Sequence, residues 1–107
     1  MTDVAPEFQP TLKWRRTLPD QTRDDFVALS DGFEVCRFYR YRVSSELQGQ
    51  WFWTVFAFHR TPNAETGAMQ GFVRGSARDA AKVAEAAFER AKAVWGIPDV
   101  VRFATAE

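Results

Sequence analysis

Arginines interleaved with large aromatic side chains are the residues of this chain best suited to grip another molecule. Arg37, Arg40, Arg42 and Arg60 fall among Tyr39, Tyr41, Trp51 and Trp53, and Arg74 follows further on. Residues 35–60 hold four arginines against a single acid, Glu46. A guanidinium offers a planar fork of donors for phosphate, and aromatic faces stack on bases. Tyr, Trp and Arg are equally the enriched anchors of protein interfaces. On a third reading the arginine stems only cover an aromatic sheet while their heads reach water. The candidate binding surface is therefore Arg37, Tyr39, Arg40, Tyr41, Arg42, Trp51, Trp53 and Arg60.

Other chemistry is thinly supplied. A metal site needs several His, Cys or carboxylate ligands at compatible spacing, and the chain has one His and one Cys. His59 ends an apolar run beside Arg60 and reads as structural. Cys36 lies mid-strand and reads as a small core residue. No serine occupies a Gly-x-Ser-x-Gly elbow. Gly67, Gly71 and Gly75 recur before a helix, but the chain has neither Gly-Lys-Ser/Thr nor Gly-x-Gly-x-x-Gly, so they read as punctuation around a short strand. Asp20, Asp24, Asp25 and Asp31 read as turn formers and solubilisers. The expectation is a non-enzyme with no catalytic residue, no cofactor and no metal.

The elements that must position these side chains follow from periodicity and punctuation. Residues 1–10 read as a flexible lead-in with two prolines, and 11–107 as a single α+β domain. Strands are expected at about 12–16, 26–29, 33–42, 51–58 and 70–74. Pro19 and Asp20 open a loop, and Asp31-Gly32 marks a tight hairpin. In 33–42, alternation puts Phe33, Val35, Arg37, Tyr39 and Tyr41 on one face. Glu34, Cys36, Phe38, Arg40 and Arg42 fall on the other. The run 51–58 is apolar on both faces, so it belongs inside the sheet with a cover on each side. A helix supplies one cover. The segment around Trp14, a second subunit or a ligand supplies the other.

Ser76 and Asp79 form a capping signature for a helix over about 77–95, stopped by Gly96 and Pro98. Ala80, Val83, Ala84, Ala87, Phe88, Ala91, Val94 and Trp95 make its apolar stripe. Arg78, Lys82, Glu85, Glu89 and Lys92 form the solvated side, with Lys82–Glu85 and Glu89–Lys92 as surface pairs. The tail from Asp99 packs loosely back. The expected fold is thus an antiparallel sheet of three to five strands covered by one C-terminal helix.

Composition narrows the class. Fourteen basic and fourteen acidic residues cancel, which weighs against a dedicated nucleic-acid binder. One cysteine permits no internal disulfide, and 46% hydrophobic residues suffice for a core. The N-terminal residues lack a basic, then apolar, signal pattern. No apolar run approaches the roughly 18–20 residues that span a membrane. The expectation is a cytoplasmic protein with no membrane partner.

Two resemblances add to this. The segments Asp31-Gly32 and Arg37-Phe38-Tyr39-Arg40, then Gly49-Gln50-Trp51-Phe52-Trp53, then Gly71 and Gly75-Ser76-Ala77-Arg78-Asp79-Ala80-Ala81, resemble a group of small uncharacterised bacterial proteins. That group implies no function. Gly49-x-Trp51 and Gly71 followed by the Ala-rich helix start are also similar to the plant ethylene-response-factor DNA-binding domain and its integrase relatives. This resemblance implies three strands and a helix, with Arg37, Arg40, Arg42, Trp51 and Arg60 as groove-contacting candidates. The leading expectation is an interaction module that binds protein or self-associates through an aromatic and arginine sheet face. A sheet-based DNA binder is the alternative, and a small enzyme or ligand-binding protein the third.

Overall fold

Asp31 and Gly32 both adopt positive φ, 53° and 82°, the tight turn that Asp-Gly favours. This turn joins β2 (Asp25–Ser30) to β3 (Phe33–Arg40). The computed structural model describes residues 8–17 and 24–105. The first seven residues of the expected lead-in, and the loop at Pro19 and Asp20, lie outside the described residues. With β1 (Lys13–Arg16), β4 (Trp51–Val55) and β5 (Gln70–Val73), the strands form one antiparallel sheet in sequence order. Helix α1 (Ala77–Trp95) crosses one face of it. The α+β arrangement is the expected one.

β4 is interior, paired with β3 and β5, as its apolar character requires. The helix-covered face carries Trp14, Phe26, Ala28, Cys36, Phe38, Trp51, Trp53 and Val55, which share register rows across the strands. Their rings interlock: Phe38 lies 4.9 Å from Trp14, 5.2 Å from Phe26 and 5.5 Å from Trp51. Against these rings α1 lays Ala80, Ala81, Ala84, Ala87 and Ala91, all buried, with Phe88. Small side chains on the helix leave room for large ones on the sheet, so the layers fill space at close packing.

Strict alternation fails at one point. Ala28 pairs with Cys36 but Leu29 pairs with Glu34, so Val35 is the extra residue of a β-bulge. The bulge turns Val35 and Cys36, neighbours in sequence, both into the core. Val35 therefore leaves the Arg37, Tyr39 and Tyr41 face on which alternation placed it.

The helix begins as its capping signature predicts: Ser76 Oγ accepts from Asp79 N–H at 3.2 Å, and Asp79 Oδ2 accepts from Ser76 N–H at 2.8 Å. It closes with Gly96 N–H on Lys92 O at 2.8 Å. Two expectations are corrected on its flanks. Glu85 is not on the solvated side; it is buried, 4% exposed, and turned toward the N-terminal segment. There is accordingly no Lys82–Glu85 pair, whereas Lys92–Glu89 forms at 3.3 Å. Trp14 does not cover the second face of the sheet. It packs on the helix side, because its indole N–H donates to Glu85 at 2.7 Å.

The tail is a second, short helix, α2 (Asp99–Thr105). Its first residue anchors it: Asp99 accepts from His59 N–H at 3.1 Å and from Arg60, and Val100 N–H donates to Ala57 O.

Candidate functional site

α1 and Trp14 both lie on one side of the sheet; on the other, Val27 and Asp25 are buried while the rings nearer β5 are partly exposed. Register decides what this second face displays. One row runs Asp25, Tyr39, Phe52, Phe72 across β2 to β5. The next runs Arg15, Val27, Arg37, Thr54, Gln70. In the first row the rings form a chain: Tyr39 to Phe52 at 5.4 Å, Phe52 to Phe72 at 5.2 Å, and Phe72 to Tyr41 at 5.2 Å. Phe72 is 37% exposed, and Phe56, just past β4, is 38% exposed. A continuous strip of partly exposed rings is the kind of apolar patch that marks an interaction surface.

The arginines around this strip are matched to carboxylates. Arg37 closes a two-point grip on Asp25, Nε to Oδ1 at 2.8 Å and Nη2 to Oδ2 at 2.5 Å, and its Cζ lies 5.0 Å from the Tyr39 ring centroid. Asp25 also accepts from Thr17 Oγ1 at 2.7 Å. Burial pushes the Asp25 carboxyl up, but the Arg37 and Thr17 hydrogen bonds and the Arg37 charge outweigh it and hold the group below its ordinary value. The guanidinium is raised in turn, chiefly by its bond to Asp25. Arg15 pairs with Glu34 at 2.9 Å, and Arg42 with Asp24 at 2.8 Å. Arg60 reaches Asp99 at 3.3 Å. Asp24 and Asp25 are thus charge partners of strand arginines and not simple turn formers.

The residues named from sequence divide between two faces. Arg37, Tyr39 and Tyr41 belong to the open strip. Trp51 and Trp53, 2% and 6% exposed, do not. Their parity turns them under α1, where Trp51 Nε1 donates to Gly75 O at 2.9 Å; they are core residues and no part of a surface. Arg40 shares their side, its Cζ 4.6 Å from the Trp51 ring centroid and its Nε 3.6 Å from Asp24. Arg42 lies past the end of β3, and Arg60 lies beyond β4 against α2. Phe52 and Phe72 complete the strip and were not among the sequence candidates. The signal for them lay in cross-strand register, which one strand's pattern does not contain.

Cys36 is buried among core residues, and burial followed by the nearby Glu85 charge pushes its thiol up, away from the reactive thiolate. Among the described residues no group of three or more His, Cys, Asp or Glu is placed to hold a metal, and no helix is long and apolar enough to cross a membrane. Comparison with protein-family models, with curated proteins and with solved structures finds no match to this chain.

Proposed function

We propose that this chain is a cytoplasmic protein-interaction module whose helix-free aromatic face meets a second copy of itself. The observation that carries this reading is the Tyr39–Phe52–Phe72–Tyr41 strip on the face away from α1, where Phe72 stays 37% exposed. Such rings supply large apolar contact area at low conformational cost, and the ion pairs beside them make a polar rim. A two-fold pairing of identical faces sets rings against rings. The formal net charge of zero means two copies approach without mutual repulsion. The same ion pairs weigh against the DNA reading, because Arg37 is engaged by Asp25, and Arg40 and Arg42 share Asp24, which offsets two of the three charges.

Sedimentation velocity across a concentration series tests this. The expected result is a monomer–dimer equilibrium that Phe72→Asp abolishes while its circular dichroism stays native. A wild-type chain that stays monomeric throughout the series overturns the self-association reading. Fluorescence anisotropy of a labelled random DNA duplex at low and moderate salt tests the alternative: binding that weakens steeply with salt means phosphate contacts and replaces the protein-binding reading.

A further inference from the structure

The two edges of the sheet are not alike. β1 carries Lys13, Arg15 and Arg16 in its four residues, the charged guard that keeps an edge strand from pairing with another chain. β5, also four residues, reads Gln-Gly-Phe-Val and carries no charge. Its hydrogen-bonding phase follows from the Val55 N–H bond to Met69 O at 2.8 Å. Alternation along an antiparallel pair then directs Gly71 and Val73 toward β4, and the amides and carbonyls of Gln70 and Phe72 outward.

Beside this edge runs a groove of about 570 Å³ between β5 and α1. Val73, Val83 and Ala86 give it an apolar floor, and Arg74, Lys82 and Arg90 line it with positive charge. None of these three cations has an ion-pair partner among the described residues, in contrast to Arg15, Arg37, Arg42 and Arg60. Asp79 is the one acid in the lining, and its carboxylate is engaged in the helix cap. Arg90 Nε donates to Thr66 O at 3.0 Å, which holds this guanidinium to the loop ahead of β5.

We propose that this groove binds an extended acidic peptide, which adds to β5 as a sixth strand. Backbone bonds to Gln70 and Phe72 supply affinity that is indifferent to sequence, and the groove supplies the selection. Side chains of an extended strand alternate between faces. Every second residue of the guest therefore points toward Arg74, Lys82 and Arg90, and those positions take Asp or Glu. This site uses the outward backbone of Phe72 and not its ring, and stands whether or not the aromatic face pairs copies.

The test is anisotropy of labelled hexapeptides with the full chain. The probes are alternating Glu-Val, alternating Lys-Val, and Glu-Val with every second backbone amide N-methylated. The Glu-Val peptide is expected to bind, at least tenfold more weakly to Lys82→Glu and to Gln70→Pro. The proline removes only an outward N–H and spares the β4 ladder; urea unfolding of each variant confirms an intact fold. The Lys-Val and N-methylated peptides are expected not to bind. No binding of the Glu-Val peptide overturns the proposal. So does equal binding of the N-methylated peptide, or of a single-stranded oligonucleotide that ignores Gln70→Pro, since either outcome means charge alone is read.

Discussion

The Glu85 carboxylate accepts the indole N–H of Trp14 at 2.7 Å, tying α1 to the first strand across 71 residues of sequence. The same carboxylate accepts from Thr11 N–H and Thr11 Oγ1, both at 2.9 Å, and from Leu12 N–H at 3.2 Å. One buried acceptor therefore satisfies the start of the sheet. Glu85→Ala leaves the partly buried donors of Thr11, Leu12 and Trp14 without their acceptor and is expected to cost about 2 kcal/mol. Glu85→Gln keeps one good acceptor and should cost less. Urea unfolding monitored by tryptophan fluorescence gives both values; a loss under about 0.5 kcal/mol for Ala would show that the network contributes nothing net.

Arg37 and Arg42 should behave differently although both pair with acids. Asp25 is buried, so Arg37→Ala strands its charge and is expected to cost about 2 kcal/mol. The Arg42 side chain is 65% exposed, and Arg42→Ala should lie within about 0.5 kcal/mol of the wild type. Equal losses would contradict the account of both pairs.

Stability should fall in acid. Asp25 is held below its ordinary value because its hydrogen bonds and the Arg37 charge outweigh burial. Asp99 is held low chiefly by its bond to Arg60, against burial, with help from the His59 N–H. Carboxyls depressed in the fold stabilise it fully above their unfolded pKa of about 4, and that stabilisation is lost as pH falls through the folded value. Urea midpoints measured from neutral pH down to about pH 3 should decline at the acid end, and Asp25→Asn should flatten part of that decline. A variant whose curve runs parallel to the wild type removes Asp25 from the linkage.

Cys36 should be silent toward an aromatic disulfide reagent in the native protein and react fully in denaturant, since burial and the Glu85 charge both disfavour its thiolate. Rapid modification under native conditions would mean that α1 opens readily from the sheet.

Ser76→Ala removes the N-cap acceptor and is expected to cost about 1 kcal/mol. Gly75→Ala should cost more, about 2 kcal/mol, because Gly75 holds φ 117° and a side chain there would run into the Asp79 carboxylate. Thermal melts of both variants rank them; the reverse order would contradict the backbone argument.

Strand and helix positions were legible where local chemistry determines them. Asp31-Gly32 turns the hairpin, Ser76 and Asp79 start α1, and Gly96 ends it. Element ends were less legible. The run read as 51–58 is strand only to Val55; beyond it Phe56 N–H still donates to Val35 O, but Ala57 O accepts from Val100 N–H of α2 instead of a neighbouring strand. α2 was missed: it is one short helix held by Asp99 bonds to His59 and Arg60, contacts distant in sequence.

The sequence by itself determined the α+β class, the aromatic content and the alanine-rich helix, since periodicity, capping residues and turn residues are local properties. It did not determine which aromatics face outward. Tertiary structure decided that Trp51 and Trp53 go beneath α1 while Tyr39, Phe52 and Phe72 line the open face, through strand register and the side on which the helix lies. It likewise decided that Glu85 turns inward and that Arg15, Arg37 and Arg42 meet carboxylates while Arg74, Lys82 and Arg90 form no ion pair among the described residues. Charges pair through space, and their partners can be chosen only after the chain has folded.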